Sequence, residues 1–134
     1  MKNVSEKIGF VFFLFHVVLF QQLTAQPVTN DEGADVLDAQ FAGGSDQMSL
    51  FFTQNMNYPD KAAVRHIEGT VVVVFTVDAA GGIRNPKIRE GLGHGCDEEA
   101  IRLVQTMPQW QPALLNGKPV ATGKTLHIKF KMPY

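Results

Sequence analysis

The sequence predicts an α+β fold, a three-stranded antiparallel sheet packed against two helices. Three patterns predict it: an apolar stripe at helical spacing in residues 45–57, a β-branched run and a glycine-rich turn in residues 69–90, and a second helical stripe before an alternating strand in residues 96–131. The order helix–strand–strand–helix–strand puts the first strand at the centre of the sheet, the others at its edges, and both helices on one face.

Composition limits the classes of protein that the chain can belong to. Its 134 residues are 45% hydrophobic and 19% charged, which is typical of one globular domain. The formal net charge of -1 gives no general attraction for nucleic acid, so no nucleic-acid partner is predicted. The single cysteine, Cys96, excludes an internal disulfide and a paired-cysteine metal site.

Residues 1–25 have the features of a secretory signal peptide. Lys2 and Lys7 flank a polar N-terminal stretch, which is typical of the start of a signal peptide. The apolar run 8–20 that follows would span about 20 Å as a helix, less than the ~30 Å of a bilayer core. Ala25 is a suitable small residue for signal peptidase, which predicts a mature chain that begins at Gln26. The alternative is an uncleaved signal anchor.

The mature chain is predicted to begin with a flexible acidic leader, residues 26–45, followed by a domain over residues 46–134. The leader has four acidic residues and no basic one. The first helix of the domain, residues 45–57, has Ser45 or Asp46 as its expected cap and ends before Pro59. Its apolar stripe, expected in the core, consists of Met48, Phe51, Phe52 and Met56. A further helical turn is expected over residues 59–65.

The strand over residues 69–78 is apolar on both faces at its middle, which predicts a central strand. The turn 78–82 joins it to residues 83–90, where Pro86 indicates an edge strand because proline cannot donate to a ladder. The second helix, residues 96–107, has acidic residues in its first turn. Its buried stripe is predicted to be Cys96, Ala100, Leu103, Val104 and Met107.

Beyond this helix, Trp110 lies between two prolines and is predicted to be a core residue, and residues 116–119 are predicted to form a turn. The last strand, residues 124–131, alternates between inward apolar and outward polar side chains. No acidic residue occurs between Ala100 and Tyr134. The lysines of this strand either prevent edge aggregation or attract an acidic peptide to the edge. The candidate partner-binding residues are Lys124, Thr125, His127, Lys129 and Lys131.

No catalytic, cofactor or metal site is predicted. The glycine-rich loop 91–95 lies between a strand and a helix, as a nucleotide loop does, but the acidic first turn of that helix would repel phosphate. His94 and Cys96 have no further histidine or cysteine near them in the sequence, and no serine lies in a nucleophile motif. A small periplasmic enzyme is therefore the least favoured class.

Five motifs in order resemble the TonB C-terminal domain family, over about residues 41–132. They are FAGG at 41–44, MNYP at 56–59 with two alanines after it, EGTVVV at 68–73, GCDEEA at 95–100, and MPQWQP at 107–112 with NGKPV at 116–120. No single motif is specific, and the resemblance depends on their order and spacing.

The resemblance implies a periplasmic domain that binds the TonB box of an outer-membrane transporter, or another envelope protein, by pairing it with an edge strand. The chain departs from the family pattern in its short apolar segment and in having only about 20 residues between Ala25 and the domain. The alternative is a full energy transducer that keeps residues 1–25 as an inner-membrane anchor. Homodimerisation through the sheet edges stays open.

Overall fold

The computed structural model describes residues 33–132, so the predicted signal peptide lies outside the described residues. Between residues 33 and 132 the chain forms three helices and six strands, the strands arranged in two three-stranded antiparallel sheets. The elements are β1 (Val36–Leu37), α1 (Gly44–Asn55), α2 (Asp60–Val64), β2 (Gly69–Val77), β3 (Ile83–Glu90), α3 (Cys96–Gln105), β4 (Ala113–Leu115), β5 (Lys118–Val120) and β6 (Thr122–Phe130). The predicted α+β class is confirmed.

The larger sheet has the order β3-β2-β6, which confirms the predicted central strand and both edges. β2 and β6 pair without interruption from Gly69↔Phe130 to Val77↔Thr122. Val71, Val73 and Val77 are fully buried on the face that packs against α3, while Val72 is nearly buried on the opposite face. The apolar middle of β2 therefore suits its central position.

The core lies between this sheet and α3. The five residues of the predicted stripe in α3 and its following turn are buried, and Trp110 is only 5% exposed, as predicted. The Trp110 ring packs edge-to-face against Phe75 at 5.5 Å and against Phe41 at 5.8 Å between ring centroids. Trp110 therefore joins the central strand to the chain that precedes α1.

α1 is less buried than the sequence predicts. None of its residues is fully buried, and its apolar stripe packs against the core half-exposed. The prediction that Ser45 or Asp46 caps it is wrong: the helix begins after Gly43, whose φ is 87°, and has no side-chain cap. Glycine adopts this left-handed conformation without the steric cost that a side chain would add.

The smaller sheet has the order β1-β4-β5 and was not predicted. β4 and β5 form a hairpin around Asn116 and Gly117, whose φ values of 50° and 77° suit a two-residue turn. The predicted turn over residues 116–119 is therefore confirmed only at its first two residues, because Lys118 and Pro119 belong to β5.

β1 belongs to the segment predicted as a flexible acidic leader, and from Val36 onward the structure differs from that prediction. β1 pairs with β4, and Gln40 forms a bridge with Gln111. Ala39 and Phe41 are buried. The four acidic residues of this segment suggested flexibility, but its two buried apolar residues, Ala39 and Phe41, fix it to the domain.

Candidate functional site

The outer edge of β6 is the regular strand edge that the larger sheet leaves unpaired. No strand between residues 33 and 132 pairs with that side of β6. An edge strand presents a row of backbone N–H and C=O groups that can bind another extended chain. A nine-residue strand without bulges offers a long ladder for such pairing.

The turn after β2 shows which residues of β6 point to this edge. Asp78 donates its N–H to the Gly82 carbonyl at 2.9 Å and accepts the Gly81 N–H at 2.9 Å, so its backbone groups point toward β3. Because successive residues of a strand point to opposite sides, the backbone groups of Val77 point toward its partner Thr122 in β6. It follows that the backbone N–H and C=O groups of even-numbered residues in β6 bond to β2. The backbone groups of its odd-numbered residues point to the unpaired edge.

The five predicted binding residues fall on or beside this edge. Thr125, His127 and Lys129 are odd-numbered and exposed, so we infer that their backbone groups point outward. Lys124 is half-buried within the strand, and Lys131 is exposed just after the strand ends. The inward alternation is confirmed, since Ile128 and Phe130 are each 1% exposed and Leu126 packs against the core.

One charged group at this edge was not predicted. Asp38 accepts a hydrogen bond from the Lys124 ammonium at 2.7 Å, and this bond holds the pKa of the Asp38 carboxyl below its usual value. Asp38 and Lys124 are 86 residues apart, so no local pattern could indicate the pair. The acidic leader thus places one carboxylate at the start of β6.

The opposite edge of the sheet, β3, is poorly suited to strand addition. Its register with β2 shifts twice, and Asn85 has a φ of 49° next to Pro86. Bulges and proline are devices that keep a strand edge from pairing with another chain. The asymmetry between the two edges makes β6 the candidate site.

α1 lies alongside β6 and forms a groove at each end of it. The first groove is lined by Met48 and Trp110 together with Lys124 and Leu126. The second is lined by Phe52, Met56 and Tyr58 together with Lys129. The apolar spacing of α1 predicted core burial, and only the tertiary structure places this stripe at the border of a strand edge.

The end of α1 is tied to α3 by one carboxylate. Glu99, 9% exposed, accepts the Asn57 N–H at 2.7 Å and pairs with Arg102, whose guanidinium also donates to the Asn55 carbonyl at 2.7 Å. Burial alone would raise the pKa of Glu99, but the bonds from Arg102 and Asn57 outweigh it and lower the pKa. The ionised form of Glu99 therefore holds the C-terminal end of α1 in place.

The backbone N–H groups of the glycine-rich loop before α3 are bound by a side chain of α3 itself. Asp97 accepts the N–H groups of Leu92 at 2.8 Å and Gly93 at 3.2 Å, so these donors are not directed at a ligand. Burial raises the pKa of the Cys96 thiol, which favours its neutral form. Among residues 33–132 no group of three or more histidine, cysteine or acidic side chains could hold a metal ion.

None of the helices in the described part of the chain has the length and hydropathy that a membrane span requires.

A search of curated proteins finds no match to the chain. The family model for the Gram-negative bacterial TonB protein C-terminal domain matches residues 54–132, which is more than half of the chain. The match covers α3 and the whole larger sheet, including β6. The chain therefore belongs to the TonB C-terminal domain family.

Proposed function

We propose that this chain is a periplasmic protein-binding module that takes up a segment of an envelope partner as a fourth strand at the β6 edge. The observation that carries the proposal is the regular, unpaired edge of β6, in contrast to the bulged edge of β3. Backbone pairing supplies hydrogen bonds without a deep pocket, and the side chains that flank the edge supply specificity.

The partner that the family favours is an outer-membrane TonB-dependent transporter, whose TonB box would be the added strand. TonB-type domains take part in transport interactions of the Gram-negative envelope. The absence of acidic residues from Ala100 to Tyr134 suits a partner segment with negative charge. The contacts would come from Lys124, Thr125, His127, Lys129 and Lys131.

A titration of the isotope-labelled chain with synthetic N-terminal segments of such transporters tests this proposal by NMR. Amide shifts concentrated on residues 123–131 are the expected result. Shifts concentrated on the loop 91–95, with β6 unaffected, would contradict it.

A pair of variants at one position separates backbone pairing from side-chain recognition. His127→Pro removes an N–H that points to the free edge, whereas His127→Ala keeps that N–H and removes only the side chain. We expect the proline variant to lose binding and the alanine variant to keep most of it, with thermal midpoints recorded to show that both are folded. Unchanged binding by a folded His127→Pro variant would count against strand addition.

A further inference from the structure

We propose that α1 forms the second wall of this binding site, and that its Met48–Phe52–Met56 face selects peptides in which apolar and acidic residues alternate. The inference rests on the proposed strand addition and identifies the class of peptide that the edge accepts. It starts from the half-exposed apolar stripe of α1, which borders both grooves along β6.

The spacing of this stripe matches that of an added strand. Met48 and Phe52 lie four residues apart in α1, which separates them by about 6 Å along the helix axis. Met56 lies four residues further on, directly after the last residue of α1, and its N–H still donates to the Phe52 carbonyl at 2.9 Å. Alternate side chains of an extended peptide are about 6.6–6.8 Å apart. A peptide beside β6 can therefore place successive inward side chains against successive residues of the stripe.

The direction of α1 supports the same arrangement. The start of α1 shares a groove with Lys124 and Leu126, and its end shares a groove with Lys129. The helix thus follows β6 from its beginning to its end. The inward side chains of an added strand would lie on the same face of the sheet as Leu126 and Ile128, toward α1.

The two faces of the added strand would meet different chemistry. Inward side chains would contact methionine and phenylalanine, and the flexible thioether of methionine adapts to apolar side chains of different shape. Outward side chains would lie next to Thr125, His127 and Lys129, where a carboxylate is favoured. Lys129 is the charged member of this exposed face, and its ammonium would attract a carboxylate of the added strand.

Two synthetic peptides of equal composition test the inference on the full chain. One has valine and glutamate alternating over eight residues, and the other has four valines followed by four glutamates. We expect the alternating peptide to bind about tenfold more tightly by calorimetry, since only it can bury its valines against α1 while pairing with β6. With methionine methyl groups labelled, the resonances of Met48 and Met56 should shift.

Matched variants locate the effect on one face of the helix. Met48→Ser and Met56→Ser should each weaken binding of the alternating peptide about tenfold, whereas Leu50→Ser, on the same helix at a residue 48% exposed and outside both grooves, should not. Thermal midpoints identify any variant that fails to fold. In that case the methyl resonances of Met48 and Met56 in the unmodified chain decide whether the peptide contacts α1.

The outcomes separate this inference from the proposed function. If β6 amides shift but the two peptides bind equally and the methionine variants behave like the unmodified chain, strand addition stands and the role of α1 is overturned. If the transporter segments shift the β6 amides but neither synthetic peptide does, only the inference is overturned. If neither the transporter segments nor the synthetic peptides shift them, the proposed function fails and the inference fails with it. A dimer formed through β6 that excludes both peptides would also overturn the inference.

Discussion

Gly81, in the turn between β2 and β3, lies directly against the backbone of Trp110. The Trp110 N–H donates to the Gly81 carbonyl at 2.9 Å, and a Cβ atom on Gly81 would lie 2.0 Å from the Trp110 carbonyl oxygen. The φ of Gly81 is 87°, in the left-handed region. This contact joins the hairpin of the central strand to the connection between α3 and β4.

Gly81→Ala should lower the free energy of unfolding by roughly 3 kcal/mol or more, because a left-handed alanine and a displaced backbone both add cost. Gly117→Ala is the control. Gly117 also has a positive φ, 77°, but open space around its Cβ position, so it should lose only about 1–2 kcal/mol. Equal losses in urea denaturation would show that the Trp110 contact is unimportant.

Phe75→Ala and Trp110→Ala should each cost about 3–5 kcal/mol, since both rings are nearly buried and pack against each other. Val64→Ala, at a residue 81% exposed, should change stability by less than about 0.5 kcal/mol. Denaturant midpoints provide the measurement. A Trp110→Ala variant that loses only peptide binding would move Trp110 from the core to the binding site.

Glu99→Gln should destabilise the domain at neutral pH by roughly 1–2 kcal/mol, because the neutral amide binds Arg102 and the Asn57 N–H more weakly. The pKa of Glu99 is lower in the folded chain than in the unfolded chain, so its ionised form stabilises the fold. This stabilisation is fully present above the unfolded pKa and is lost as the pH falls through the folded pKa. The stability difference from the unmodified chain should therefore shrink in acid. Glu98→Gln, at an exposed neighbour, is the matched control and should change stability at neutral pH by less than about 0.5 kcal/mol. A difference for Glu99→Gln that stays constant from pH 7 to 3 would contradict this assignment.

Lys129→Glu should slow association with an acidic peptide about fivefold and reduce its sensitivity to salt, since charges near a site act mainly on encounter. Arg89→Glu makes the same change in net charge on the exposed β3 edge. Stopped-flow association rates of the two variants, measured at two salt concentrations, distinguish an effect at β6 from an effect of net charge. Equal slowing by both variants would indicate a general charge effect rather than binding at β6.

The mature N-terminus should be Gln26, because Ala25 ends the one signal-peptidase site that the sequence predicts. N-terminal sequencing of the protein recovered from the cell envelope measures this. Recovery of a chain that starts at Met1 in the inner membrane would favour the energy-transducer alternative.

The sequence by itself determined the larger sheet and α3. Alternation in residues 124–131, the apolar middle of β2 and the position of Pro86 are local patterns, and they were sufficient for the strand order and for the choice of edges. The helical stripe before Pro108 was likewise sufficient for the buried face of α3. These features follow from periodicity, which a sequence displays directly.

Only the tertiary structure decided what surrounds the candidate edge. The Asp38–Lys124 pair, the Gln40–Gln111 bridge and the Gly81–Trp110 contact each join residues distant in the chain. The apolar stripe of α1 predicted a buried helix, but the same spacing also fits a helix that lies half-exposed beside a strand. Periodicity identifies which residues share a face, whereas the partner of that face depends on how the elements pack in three dimensions.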